Sequence, residues 1–206
     1  MEKYFVELIG TFFLVLTIGL TAGLGHAGAL APLAIGCMLM VLVYSGGHIS
    51  GAHYNPAATL TLWLRGRCSA SDIPGYVIAQ IAGAVLGALT AGFLGGGRPL
   101  VAIPIETGPV FVSEFLFTFA LCWVILNVAT AAGTAGNPYY GLAIGFVVAG
   151  AAYAVGPISG ASLNPAVSIA LCLMGLSAWG TIGLYFAAQL LGAAAAAFVF
   201  KVLVKN

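Results

Sequence analysis

The sequence predicts an all-α integral membrane protein in which six transmembrane helices and two half-helices form an inverted 3+3 repeat. Three observations support this prediction: an apolar composition, two copies of one Asn-Pro-Ala motif, and a match between the two halves of the chain. Of the 206 residues, 62% are hydrophobic and 5% are charged. A soluble domain of this length cannot bury so much apolar surface, so membrane lipid is the expected solvent and partner.

Six apolar tracts are separated by short breaks rich in glycine, proline and arginine. They lie at residues 4–24, 32–49, 74–94, 108–131, 138–156 and 178–203. A membrane-spanning helix needs about 20 residues, so each tract is long enough to span. The first tract follows Lys3 as a signal-peptide core would, but it is longer than the ~7–15 residues of such a core. We therefore expect it to be a retained span.

The two Asn-Pro-Ala copies lie within residues 50–58 and 159–167, each after a Gly- and Ser-containing break. Proline suits the first position of a helix, where its missing N–H would have no partner, and asparagine is a good N-cap. Each copy therefore predicts a loop that leads into a half-helix, at residues 56–64 and 165–174. Such a helix is about half as long as a bilayer-spanning one.

Residues of the first half recur in the second half at one constant sequence separation, which is the separation between Asn55 and Asn164. The matched pairs include Tyr44 with Tyr153, Tyr76 with Tyr185, and Gln80 with Gln189. We predict a first repeat at 1–97, a connecting loop at 98–107 and a second repeat at 108–206. Three spans per repeat is an odd number, so the second repeat enters the membrane from the opposite side. The two half-helices then meet near the midplane.

The positive charges predict the orientation of the chain. Under this topology five of them share one side, and only Arg98 lies on the other. The five are Lys3, Arg65, Arg67, Lys201 and Lys205. Because positive residues are enriched in cytoplasmic loops, we expect both termini to be cytoplasmic.

Two half-helices that meet end to end bring their positive N-terminal ends together at the midplane. The asparagine side chains and the loop carbonyls would supply donors and acceptors that replace the hydration of a small neutral solute. A cation would be repelled by the two helix ends. The sequence therefore predicts a passive channel for small uncharged solutes.

Other classes of function find less support. The net charge of +1 argues against nucleic acid, and the four cysteines lack metal-ligand spacing. We find no Ser/His/Asp or metal constellation, so we expect neither an enzyme nor a cofactor. A secondary transporter remains an alternative, since broken helices in inverted repeats also occur there. However, no carboxylate is placed at the midplane to bind a coupling ion.

Both motif regions resemble the paired loops of the aquaporin (major intrinsic protein) family, and the resemblance covers the whole chain. It implies six spans with two half-helices, one pore per subunit, and a homotetramer in a cell membrane. It also implies that the two Asn-Pro-Ala motifs line the pore. Their residues are Asn55, Pro56, Ala57, Asn164, Pro165 and Ala166.

The family's narrowest filter usually carries an arginine directly after the second motif, and this sequence has Val167 there. The other filter positions of the family correspond to Ile35, Ala152 and Ala161. All four are apolar, so we expect a wide apolar filter that admits solutes larger than water. Candidates are glycerol, urea, ammonia, hydrogen peroxide and neutral metalloid acids such as arsenite and its methylated forms. A water-selective aquaporin is the alternative.

Glu7 and Glu114 lie within spans at matched positions. The resemblance implies that each accepts hydrogen bonds from the loop of its own half; a proton relay is the alternative. For His48 we expect structural hydrogen bonding near the cytoplasmic pore mouth, with pH sensing as the alternative. His53 is expected at the loop itself.

Overall fold

The computed structural model describes residues 1–98, 100–102 and 104–204, which form eight α-helices. Six of these are long and apolar enough to cross a membrane. The helices are α1 (Glu2–Ile18), α2 (Ala31–Ser50), α3 (Pro56–Leu64), α4 (Ile73–Leu94), α5 (Thr107–Thr130), α6 (Tyr140–Ser159), α7 (Pro165–Leu173) and α8 (Ile182–Leu203). The predicted all-α membrane fold is confirmed.

The two short helices, α3 and α7, have nine residues each. At 1.5 Å per residue such a helix is about 14 Å long, roughly half of a ~30 Å hydrocarbon core. α7 ends one residue before the end that the sequence predicted. Each half-helix packs against a long helix of the other half, α3 on α8 and α7 on α4. The two halves therefore interlock at their half-helices.

The long helices pack as two equivalent sets. α1 packs against α4 in the first half and α5 against α8 in the second, while α2 and α6 pack across the boundary between the halves. Matched glycines allow the closest approaches. A Cβ at Gly83 would overlap the carbonyl oxygen of Leu8, and one at Gly192 would overlap that of Phe115.

The chain direction defines two faces of the molecule. The terminal face carries the start of α1, the start of α4 and the end of α8; the distal face carries their other ends. At the terminal face Lys3 Nζ lies 2.7 Å from Asp72 Oδ2. Following the helix ends, the positive residues Lys3, Arg65, Arg67 and Lys201 lie at the terminal face and Arg98 at the distal face. Lys205 lies outside the described residues.

The connection between the halves runs from the end of α4 at Leu94 to the start of α5 at Thr107. Pro99 and Ile103 within it lie outside the described residues. The proposed boundaries at 97, 98 and 107 stay a prediction. α1 differs from the prediction in its last turn, which is a π-helix at Gly19–Gly23.

Candidate functional site: two loops that meet at paired asparagines

Each half-helix is preceded by a loop that returns from the end of a long helix. Gly51 ends α2 at φ 82° and Gly160 ends α6 at φ 78°, a conformation that glycine adopts without a Cβ clash. Two further residues in each loop have a left-handed backbone conformation although they carry side chains, which costs about 1–3 kcal/mol of conformational free energy each. They are Ala52 and Tyr54 in the first loop and Ala161 and Leu163 in the second.

The fully buried carboxylate of Glu7 holds the first loop. Its Oε1 accepts hydrogen bonds from Ser50 Oγ at 2.7 Å and from the backbone N–H of His53 at 2.9 Å. Its Oε2 accepts from the backbone N–H of Tyr54 at 2.6 Å and from Gln80 Nε2 at 2.8 Å. Both oxygens are therefore satisfied, each by one loop N–H and one side chain.

Glu114 has the same arrangement in the second half and is also fully buried. Its Oε1 accepts from Ser159 Oγ at 2.7 Å and from the backbone N–H of Ser162 at 2.9 Å. Its Oε2 accepts from the backbone N–H of Leu163 at 2.7 Å and from Gln189 Nε2 at 2.8 Å. The two carboxylates therefore accept hydrogen bonds from the same kinds of donor, as the repeat in the sequence leads us to expect.

The asparagines cap the half-helices, as their type and position lead one to expect. Asn55 Oδ1 accepts the backbone N–H of Ala57 at 2.8 Å, and Asn164 Oδ1 accepts that of Ala166 at 2.9 Å. In both cases the cap leaves the side-chain amide nitrogen directed away from its own helix, because the oxygen is the atom turned toward the helix N-terminus.

Each amide nitrogen binds the opposite loop. Asn55 Nδ2 donates to the carbonyl oxygen of Leu163 at 2.9 Å, and Asn164 Nδ2 donates to that of Tyr54 at 2.8 Å. These reciprocal bonds bring the two half-helix N-termini together, so their partial positive charges are adjacent. An amide NH₂ carries two hydrogens, so each asparagine keeps one N–H beyond this bond.

A distal cavity of about 540 Å³ is lined by residues from Gly28 and Ser177 near the distal face to both asparagines. All four predicted filter residues line it: Ile35, Ala152, Ala161 and Val167. Val167 and Ile35 are buried, and all four of these side chains are aliphatic.

A terminal cavity of about 600 Å³ extends from the loop of the first half to Arg67, Asn137 and Tyr140 near the terminal face. The two cavities share six lining residues, so they meet inside the molecule. Together they lie along both loops between the two faces, and we call the two cavities the passage.

Backbone carbonyls give this passage its acceptors. Among the described residues, the carbonyl oxygens of residues 51–53 and 160–162 accept no hydrogen bond. Residues of both segments line the cavities. The segments that carry these unbonded carbonyl oxygens therefore border the passage.

The two histidines of the first motif differ in position. His53 is buried, borders both cavities and has Nδ1 3.1 Å from Thr59 Oγ1. His48 is exposed in the last turn of α2 and lines the terminal cavity. It makes no side-chain hydrogen bond within the described ranges 1–98, 100–102 and 104–204, and its role stays a prediction.

Sequence reasoning did not assign a role to a second set of side chains that support the loops. Tyr76 Oη donates to the Ser50 carbonyl at 2.6 Å, and Tyr185 Oη donates to the Ser159 carbonyl at 2.7 Å. Two hydroxyl side chains of the half-helices, Thr59 and Ser168, also take part. Each donates to the backbone carbonyl of the asparagine in its own half and accepts from the glutamine of that half. The constant spacing between the halves pairs all of them and could have identified them.

No group of three or more His, Cys, Asp or Glu side chains in the described part of the chain is arranged to hold a metal ion.

An all-helical membrane protein whose half-helices meet inside a passage has the architecture of a membrane channel. A sequence model of the major intrinsic protein family matches residues 1–149 and again residues 110–206. Aquaporin NIP1-2 of Arabidopsis thaliana is 35% identical over 98% of this chain and 74% of its own length. A probable aquaporin NIP-type of Nicotiana alata is 34% identical over 98% of this chain and 78% of its own length.

The chain belongs to the major intrinsic protein family. Among solved structures, the aquaglyceroporin from Plasmodium falciparum superimposes with a TM-score of 0.85 over 98% of this chain and 96% of that one. At 22% identity this match supports the fold. Family membership makes the chain a membrane channel and not an enzyme, as predicted.

Proposed function

We propose that this protein is a passive channel that carries water and small uncharged solutes along the two joined cavities. The observation that carries the proposal is the reciprocal bonding of Asn55 and Asn164 at the meeting point of two half-helix N-termini. Each asparagine has a further N–H for a solute, and the loop carbonyls supply acceptors. A neutral solute with both donors and acceptors can therefore exchange its hydration shell for protein groups.

Cations are excluded by the same arrangement. The two half-helix N-termini together present about one positive elementary charge at the centre of the passage, since each helix end carries about half a charge. The side chains that line the distal cavity include no carboxylate, so nothing there neutralises that charge. Cation passage is therefore opposed at the point where the passage is deepest in the membrane.

The filter is proposed to be wide and apolar, formed by Ile35, Ala152, Ala161 and Val167. An arginine in place of Val167 would present up to five N–H donors and a fixed charge; valine presents neither. Water loses hydrogen bonds among aliphatic side chains, and each unpaired polar group is costly there. Larger or less polar neutral solutes gain relative to water. Candidates are glycerol, urea, ammonia, hydrogen peroxide and neutral metalloid acids, including arsenite and its methylated forms.

Glu7 and Glu114 are proposed as loop supports. Each of their four carboxylate oxygens already accepts two hydrogen bonds from neighbouring groups. A relay would need an oxygen that is open to an incoming proton donor. The satisfied network favours the structural role.

Both termini are proposed to face the cytoplasm. The protein is proposed to form a homotetramer in the plasma membrane. The clustering of positive residues at the terminal face supports the orientation, and the family resemblance supports the assembly. Cross-linking in native membranes should give species of up to four subunits. If cross-linking gives only monomers, the tetramer is contradicted. A membrane-impermeant lysine reagent should leave Lys3 unlabelled in sealed cells and label it after lysis.

The function is tested by stopped-flow light scattering on proteoliposomes with water, urea and glycerol gradients. Solute flux should exceed that of protein-free liposomes, rise linearly with the gradient and be unaffected by proton or sodium gradients. Saturation or dependence on an ion gradient would indicate a transporter. Water flux without passage of urea or glycerol would indicate a water-selective channel.

A further inference from the structure

A proline lies inside the last turn of α6 and frees a backbone carbonyl. Pro157 has no backbone N–H, so it cannot donate the helical hydrogen bond to the carbonyl oxygen four residues earlier, which belongs to Tyr153. Among the described residues, no side chain donates to this oxygen. Ser159, the hydroxyl residue of the same turn, donates to Glu114 Oε1 instead. The Tyr153 carbonyl therefore keeps an acceptor that the rest of a helix normally uses.

The freed carbonyl lies on the face of α6 that borders the distal cavity. A helical carbonyl oxygen points along the helix axis toward the residue four positions later, and these two residues share a face. Tyr153 and Pro157 both line the distal cavity, as do Ala152 and Gly156 beside them. A Cβ added at Gly156 would meet nothing within 4 Å beyond the backbone of its own turn. The surface next to the freed oxygen is therefore open.

The membrane explains why this proline faces the cavity. Inside a bilayer, a backbone carbonyl without a donor is costly against lipid and is tolerated where it lines a wet cavity. Pro157 meets that condition because a solute or water in the distal cavity can donate to the oxygen that it frees. The proline and the cavity therefore form one feature, an acceptor that the helix itself leaves open.

The first half has no proline at the matched position. The repeat partners of Tyr153 and Pro157 are Tyr44 and His48 in α2. His48 carries a backbone N–H, so the helical bond to the Tyr44 carbonyl is available to it. The acceptor is therefore a property of the second half, and of the distal side of the molecule.

The position of the freed oxygen relative to the predicted filter gives it a role. Tyr153 directly follows the filter residue Ala152, and its carbonyl points toward the end of α6 at the distal face. A polar solute that enters the four aliphatic filter side chains loses hydrogen-bond partners, which is costly. An acceptor at the distal edge of the filter replaces one of those partners at the point where the loss begins.

We propose that the carbonyl oxygen of Tyr153, freed by Pro157, is a solute-binding acceptor at the distal edge of the filter. Its ligands are neutral solutes that carry O–H or N–H groups, such as polyols and amides. This inference rests on the proposed channel function and adds a binding subsite to it. A solute with several donors gains more from this acceptor than water does, because more of its donors leave solvent at once.

The test is Pro157→Ala, which supplies the missing N–H and lets the helix bond the Tyr153 carbonyl itself. Alanine is the better helix former, so this variant should fold. The ratio of glycerol to water permeability in proteoliposomes should fall about two- to tenfold, the range that one hydrogen bond is typically worth. An unchanged ratio in a Pro157→Ala protein that still conducts water would overturn the proposal.

Pro109→Ala is the matched control. Pro109 lies in the first turn of α5, where a proline deprives the helix of no hydrogen bond, and it lines neither cavity. This variant should keep the wild-type ratio. An equal fall in Pro109→Ala and Pro157→Ala would contradict a specific role for the Tyr153 carbonyl.

A second comparison separates the N–H from the loss of the proline ring. In oocytes, nonsense suppression can place either alanine or lactic acid at position 157; both lack the ring, and the ester oxygen of lactic acid carries no hydrogen. Only alanine should lower glycerol uptake relative to water uptake, and equal falls with both would overturn the proposal. If the wild-type protein conducts neither solute above background, the channel function itself fails, which is a distinct result.

Discussion

At the scale of single residues, the site depends on a backbone that is costly to form. Four loop residues with side chains are left-handed, and buried carboxylates hold the loop N–H groups in place. The carboxylates lie in long helices, so the strain of each loop is opposed by the rigid helices around it. This arrangement leaves the loop carbonyls free to contact a solute.

Replacing Glu7 with glutamine should lower the stability of the folded protein. The amide NH₂ would face donors that now meet a carboxylate oxygen, leaving at least one loop N–H unpaired at a cost of about 1–3 kcal/mol. Thermal unfolding of the detergent-solubilised protein measures the change, with Glu2→Gln at the exposed start of α1 as control. Unchanged unfolding combined with altered proton flux would instead support a relay.

An aspartate in place of Asn55 should relax cation exclusion. The new carboxylate offsets the positive helix ends and cannot donate to the Leu163 carbonyl. Cation current in planar bilayers should appear in Asn55→Asp and in Asn164→Asp. Asn127→Asp is the matched control, because Asn127 lines neither cavity and bonds the Trp123 carbonyl within α5. Equal currents in all three variants would contradict the central position of the two asparagines.

The sequence could predict these residues only in part. Asn55 and Asn164 were found because an N-cap and a following proline leave a local pattern. Their bonds to the opposite loop join residues 108 and 110 positions apart, and no local pattern reports such contacts.

At the scale of helices, small residues set the distances. Gly83 on α4 lies against the Leu8 carbonyl on α1, and its partner Gly192 lies against the Phe115 carbonyl. Spans and half-helices were predictable because apolar length and cap residues are local properties. The π-helical end of α1 was not, because its sequence, Gly19–Gly23, carries no comparable local pattern.

Adding one methyl group at Gly83 should destabilise the pairing of α1 and α4. Gly83→Ala would push a Cβ into the Leu8 carbonyl, an overpacking that typically costs about 1–3 kcal/mol. Gly92→Ala, in the same helix with no atom within 4 Å of the added Cβ, is the control. It should be neutral or stabilising by up to about 1 kcal/mol. Comparable losses of thermal stability in both variants would contradict the close-packing account.

At the scale of the whole molecule, the inverted repeat produces one passage from two similar halves. Each half contributes one loop and one half-helix, and the two asparagines join the halves. The repeat predicts this symmetry, whereas the presence of the four predicted filter residues in one cavity with both asparagines depends on side-chain packing that only the fold reveals. The central functional claim is that the filter at Ile35, Ala152, Ala161 and Val167 is wide and apolar.

The most direct test of that claim is the ratio of glycerol to water permeability in wild-type, Val167→Arg and Val167→Leu proteoliposomes. Arginine would narrow the filter and add a charge and donors, so the filter should become the limiting point and reduce glycerol flux more than water flux. Leucine adds volume alone and should have a smaller effect on the ratio. A wild-type protein that passes water and excludes glycerol, or a ratio unchanged by Val167→Arg, would contradict a wide apolar filter.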